Sequence, residues 1–154
     1  MFQKITGLYA GATALILSLS AGAMWAEAVV LVDFWRSMEP AAFVEWYRAY
    51  NPMLVAFYKP LQITATVMAL ALPIVIRLES GRWSPAALTT AVLGVAIIAL
   101  FFIYFKAANA EFLSADPELA ARIPALLESW SAWQWLRTGT GVASGIAGIA
   151  ALRR

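Results

Sequence analysis

Four stretches of the chain, at about 5–32, 53–76, 86–107 and 133–152, each carry one charged side chain and are otherwise uncharged. In a bilayer, apolar runs of that length satisfy their backbone only as helices. They specify an all-α membrane protein: an antiparallel four-transmembrane-helix bundle forming one domain over 1–154, with short interfacial helices on the outer side. Composition agrees, with 62% hydrophobic and 13% charged residues, where soluble domains are about a quarter charged. The chain has no cysteine and no histidine. That excludes disulfides, thiolate nucleophiles, Cys/His zinc sites, histidine-ligated haem and Ser-His-Asp catalysis. No carboxylate pair has metal-binding spacing, so neither metal nor cofactor is expected. The formal charge of +2 is too weak and scattered for a nucleic-acid partner.

Along the first stretch, Gly7, Gly11, Ala14, Ser18, Gly22 and Ala26 recur every three or four positions and offer one smooth face for close helix contact. A cleaved signal peptide is the rival reading, with Lys4, an apolar run, then Ala21-Gly-Ala23 or Ala26-Glu-Ala28 as the cleavage site. The apolar run continues through Val29–Val32, longer than a signal core, which favours an uncleaved helix. Glu39-Pro40, with Phe43, Trp46, Tyr47 and Tyr50 at helical spacing, predicts a short interfacial helix that Asn51-Pro52 breaks. Pro60 should kink the second span without ending it. Arg77 to Trp83 is a short, mostly basic loop, and Ser84-Pro85 starts the third span. Residues 117–127 form a polar linker with helical spacing, and Trp130 opens the fourth span. There Gly141, Ser144, Gly145 and Gly148 make a second small-residue face, with Arg137 one turn before Gly141.

Counted from the basic ends of the helices, the four lone charges fall at similar depth. Glu27 lies about 34 Å in, Lys59 about 27 Å, Lys106 about 33 Å and Arg137 about 24 Å. Charge inside a bilayer faces the bundle interior or snorkels to the headgroups. For Lys59 and Lys106 snorkelling is the simpler reading. Arg137 sits on a packing face, which leaves a buried ion pair or a ligand-binding arginine, with lipid exposure as the third alternative. Glu27 matches it best in depth, ahead of Glu111 and Asp33.

These residues also resemble a family. Gly7-Leu-Tyr-Ala-Gly11, Asn109 near the end of the third helix, and Trp130-x-x-Trp133-x-x-x-Arg137-Thr138 are similar to motifs of the anthrone-oxygenase-like proteins, small four-helix membrane proteins mostly of unknown function. The resemblance implies that Asn109, Trp133 and Arg137 occupy the family's polar positions. Gln134 stands where the family often has His or Asn, and Ala107-Ala108 replace its usual proline. It also implies cofactor-independent oxygenation of a polyphenolic anthrone, which needs a base for the phenolic proton. With no histidine present, Glu27 or another carboxylate must serve.

Two functions follow. In the first, an outer pocket of Lys59, Phe105, Lys106, Asn109, Trp130, Trp133 and Gln134 binds a lipophilic aromatic small molecule, with Glu27 and Arg137 as candidate catalytic groups. In the second, the small-residue faces dock a non-catalytic subunit into a homo-oligomer or membrane complex. A transporter is disfavoured, because no pair of matching broken helices is present. Lys/Arg density sets orientation. Lys4, Arg77, Arg82, Arg153 and Arg154 crowd three short segments, so both termini should be cytoplasmic, in a bacterial inner membrane. Reporter fusions at Gly81 and at the C-terminus should both read cytoplasm; an external signal from either would refute the four-span topology.

Overall fold

The computed structural model describes residues 2–153, the side chains of Phe2 and Gln3 excepted. Met1 and Arg154, the ends assigned above to the cytoplasm, lie outside the described residues. Four long helices alternate in direction. Helix α1 spans residues 2–36, α2 is Pro40–Ser80, α3 is Pro85–Phe112 and α4 is Leu119–Ala150. They close a ring in which α1 packs on α2 and α4, and α3 on the same two. Local chemistry sets the ends. Pro40 and Pro85 occupy first-turn positions that lack a partner for an N–H. Ser84 Oγ accepts from the Ala87 N–H at 3.4 Å. Gly81, at φ 72°, ends α2 by donating to the Arg77 carbonyl, a conformation that glycine alone adopts freely.

The interfacial helices are not separate elements. Asn51-Pro52 does not break α2, which runs unbroken for 41 residues. A helical proline forfeits one hydrogen bond and costs about 3 kcal/mol. That is offset where Phe43, Val44 and Tyr47 bury, each contributing about 1.5–3 kcal/mol. Likewise the expected 117–127 linker is the first part of α4. Leu119, Ile123, Leu127 and Trp130 form one stripe, each at most 2% exposed, so helix formation there is driven by burial of that stripe. Both extensions rise beyond the bundle and enclose a cluster in which Trp35 meets Phe43, Trp46, Tyr47 and Trp130, all with ring centroids within 6 Å.

Each of α1 and α3 contains one π turn, at Glu27–Leu31 and Phe101–Phe105. The inward stripe of α1 steps by seven through Thr6, Thr13, Ser20 and Glu27, and would next reach Phe34. Phe34 is exposed and Trp35 is buried instead. In α3 the stripe Thr90, Ile97 continues at Phe105, not at Tyr104, and then at Phe112. A π turn closes i to i+5 and takes in one extra residue. Each one therefore advances the buried face by one position.

Three helical stretches, Lys4–Arg36, Pro40–Ser80 and Pro85–Phe112, are long and apolar enough to cross a membrane. Their outer faces expose large apolar groups such as Leu15, Val67 and Val92, a surface suited to lipid. Helix α4 is long enough at 32 residues, but Gln134, Arg137, Thr138, Thr140 and Ser144 lower its hydropathy.

Helices α1 and α4 do meet through the glycines of α4. Sites for a Cβ on Gly141, Gly145 and Gly148 face Ala21 and Met24, Ser18, and Ala14 and Leu17 respectively. Of the expected small-residue face of α1, Ala14 and Ser18 take part but the glycines do not: nothing lies within 4 Å of a Cβ placed on Gly7, Gly11 or Gly22. Helix α1 is rotated so that Leu17, Ala21 and Met24 join Ala14 and Ser18 at the contact, because those larger side chains bury more surface against α4 than glycine would. Gly145→Leu should therefore overpack the interface and lose about 1–3 kcal/mol in detergent. Gly22→Leu should melt like the parent. Thermal unfolding of the two variants checks this, and parental melting of Gly145→Leu would refute the contact.

Candidate functional site

One level of the bundle gathers the ionisable groups that face inward. Arg137 Nη2 donates to Glu27 Oε2 at 2.7 Å, with side-chain exposures of 12% and 6%. Gln134 Nε2 donates to the same carboxylate oxygen at 2.8 Å and to the Met24 carbonyl at 3.0 Å. Thr138 Oγ1 donates to that carbonyl at 3.2 Å. Residues 134, 137 and 138 lie within about one turn of α4, so all three reach the single turn of α1 from Met24 to Glu27.

Both hydrogen bonds to Glu27 fall on Oε2, and Oε1 receives none among the described residues. Arg137 Nε and Gln134 Oε1 are buried and likewise unpartnered among the described residues. The site is thus a carboxylate with one oxygen engaged, beside one spare donor and one spare acceptor. The guanidinium carbon sits 4.2 Å from the Phe105 ring centroid, a cation–π contact that supports the charge where water is scarce. Helix α2 adds Tyr47 and Tyr58, both within electrostatic reach of Glu27 and Arg137. Tyr58 Oη donates to the Ala23 carbonyl at 3.4 Å.

Above this level the aromatic groups are held by polar tips. Trp130 Nε1 donates to Asn109 Oδ1 at 3.0 Å, and its ring meets Phe105 edge-on at 5.2 Å. Trp133 stacks on Tyr104 at 4.9 Å and 9°, and Tyr104 Oη donates to Ser129 Oγ at 3.0 Å. At the exposed end, Arg122 bridges Glu111 and Asp116, both at 2.5 Å, and Arg48 donates to the Ser114 carbonyl.

The structure brings together Glu27, Phe105, Gln134 and Arg137, with Trp130 and Asn109 adjoining through the Trp130–Phe105 contact. Trp133 lies half-buried on the Tyr104 side. Asn109 bonds Trp130, and Glu111, weighed as a partner for Arg137, bonds Arg122. Lys59 and Lys106 are exposed, Lys106 with its Nζ 5.8 Å from the Phe102 ring centroid, and neither joins the ion pair. Sequence reasoning missed Tyr58, the Met24 carbonyl and both π turns. Tyr58 ends a uniformly apolar run in which no face stands out, and a backbone acceptor leaves no mark in a sequence. No family model, curated protein or solved structure matches this chain.

Removing one partner of a buried pair leaves an uncompensated charge and costs about 3–5 kcal/mol. Arg137→Ala should lose that much stability in detergent. Glu27→Gln should lose less, since the amide oxygen still accepts from Arg137 and Gln134. The double variant Glu27→Leu with Arg137→Met should recover most of the loss, because replacing both charges removes the desolvation penalty. Chemical unfolding of the three variants tests this, and equal losses in all three would refute the pairing.

Proposed function

We propose that all four helices cross the bilayer, with both chain ends cytoplasmic, and that the Glu27 level binds a lipophilic aromatic molecule carrying an acidic hydroxyl. The half-used ion pair carries this reading. Buried polar groups in native structures are ordinarily satisfied. Here Glu27 Oε1, Arg137 Nε and Gln134 Oε1 remain available beside Phe105 and Trp130. A hydroxyl donates to Oε1, its oxygen accepts from Arg137, and the ring packs among aromatic neighbours. Two π turns flank the level, and such turns often mark functional sites. The low hydropathy of α4 fits a fourth span most of whose polar groups turn inward: Gln134, Thr138 and Ser144 are at most 1% exposed.

In its enzymatic form the reading is a cofactor-independent oxygenase. Glu27 Oε1 takes the hydroxyl proton, and Arg137 stabilises the anion. The delocalised electron pair adds to dioxygen at an activated ring carbon, forming a hydroperoxide. Loss of water then leaves a carbonyl. Each turnover consumes one dioxygen and converts a CH2 group to C=O plus water.

A second reading has its own support. An apolar groove of ≈ 540 Å³ runs along α1 and α4, lined by Ser18, Gly22, Trp25, Val29, Gly145 and Ile146 among others. Small residues left over after the four helices pack are what a docking subunit presents.

Titration with a polyphenolic anthrone should quench tryptophan fluorescence saturably and consume dioxygen. Glu27→Gln should weaken binding by about tenfold, which is about 1.4 kcal/mol, and stop dioxygen uptake. Absence of saturable quenching, together with a membrane complex lost on Gly22→Leu, would instead establish the accessory-subunit reading.

A further inference from the structure

The interior below Glu27 is polar in layers. On α1 the buried stripe is Thr6, Thr13, Ser20 and Glu27, one polar residue every seven positions, about 10 Å apart along the axis. The Ser20 and Thr13 layers gain polar neighbours from other helices. Ser20 Oγ donates to Gln62 Oε1 of α2 at 3.2 Å. Ser144 of α4 is fully buried and falls between Gly141, opposite Ala21 and Met24, and Gly145, opposite Ser18, so it shares the level of Ser20. One layer lower, Thr90 follows Ala87, which clusters with Ala10 and Leu72, and so stands level with Thr13. Thr13 and Thr90 each donate to a carbonyl of their own helix, at 2.8 and 2.9 Å, which leaves their oxygens free to accept.

Leucine or alanine would pack these positions as well and without desolvation. In the Ser20 layer, moreover, two buried atoms, Gln62 Nε2 and Ser144 Oγ, have no hydrogen-bond partner among the described residues. A donor and a hydroxyl left open in one layer, between Glu27 and Thr13, fit bound water, which typically makes about three hydrogen bonds to such groups. Chains of hydroxyls and water beneath an intramembrane carboxylate are what a proton needs to move.

We propose that these layers form a hydrated seam through which Glu27 exchanges its proton with the end of the bundle bearing Lys4, Arg77 and Arg153. The only bonds broken and made are O–H bonds, as the carboxyl proton passes to water and a proton returns along the same path. The inference rests on the part of the proposed function that makes Glu27 a proton acceptor: such a group, 6% exposed, returns to its ionised form between turnovers only if a polar path joins it to water.

The chain is free of cysteine, so a single introduced thiol is a unique reporter. Thr13→Cys, Ser20→Cys and Ser144→Cys probe the seam, while Leu17→Cys and Ala65→Cys probe buried apolar positions on the same helical levels. Gly81→Cys, in the α2–α3 loop, marks the end of the bundle to which silver ion is added in chloride-free proteoliposomes. Unreacted thiol is then counted with a maleimide dye after unfolding. The thiolate captures silver ion, and dry surroundings that raise a thiol pKa by one unit cut its thiolate about tenfold. The three seam positions should therefore react at least about tenfold faster than Leu17→Cys and Ala65→Cys, from the Gly81 side. Equal, slow rates at seam and control positions would overturn the proposal, as would reaction only from the opposite side. No ligand enters these rates, so failure of anthrone binding over a reactive seam would reject the ligand reading and leave the seam standing.

Discussion

A charge taken out of water must find a partner, and everything above the midpoint of this bundle is arranged around that requirement. Arg137 cannot shed its proton, so α4 enters the core only where another helix supplies a carboxylate. Glu27 does so from α1 at 2.7 Å, and Gln134 shares its load on the same oxygen. The consequence is register. Once residues 134–138 are fixed to residues 24–27, the antiparallel run below brings Gly141, Gly145 and Gly148 against Ala21, Ser18 and Ala14 in turn. The glycines allow the close approach, and the ion pair decides which residues approach.

Polar satisfaction ties that register to the aromatic half. Phe105 carries the face of the guanidinium, Trp130 packs on Phe105, and Asn109 holds Trp130 by its indole nitrogen. A displacement at Arg137 is therefore felt through α3 as well as α1. The extensions of α2 and α4 close the cluster from above, with Trp35 at its centre. The buried aromatic cluster and the ion pair are parts of one packing unit, which is why a ligand there would meet both charge and rings.

Much of this was legible in the sequence, and the reasons are specific. Glu27 and Arg137 could be paired because depth in a helix is a linear function of residue number. The helix count followed from run length. What failed was anything decided by competition between terms. Asn51-Pro52 read as a break and 117–127 as a linker, yet burial of Phe43, Tyr47, Leu119 and Ile123 carries helix through Pro52 and Pro124 and outweighs the lost hydrogen bonds. Glycines on α1 read as a contact face, yet a face rotated by roughly one residue buries Leu17 and Met24 and leaves Gly22 open. Asn109, grouped with Arg137 by the resemblance, bonds Trp130 instead. Depth alone does not say which way round the helix a side chain points.

The π turns explain why that last coordinate changes where it does. Below Glu27 a seven-residue repeat keeps Thr6, Thr13 and Ser20 on one line, the geometry of helices that wrap one another. Continued unchanged, it would bury Phe34 and turn Trp35 outwards, and on α3 it would bury Tyr104 in place of Phe105. One inserted residue in each helix shifts the inward face at the level of the ion pair, so that Trp35 and Phe105 meet Trp130 from two sides. The same shift leaves Tyr104 half-buried, where it stacks on Trp133. A strained helical turn is a poor way to add stability, since its hydrogen bonds are less favourable than those of the α ladder. Two such turns at one level, each aiming an aromatic ring at the same indole beside a half-used ion pair, are better understood as positioning. They are the local departure from ideal helix that builds a site into an otherwise regular bundle.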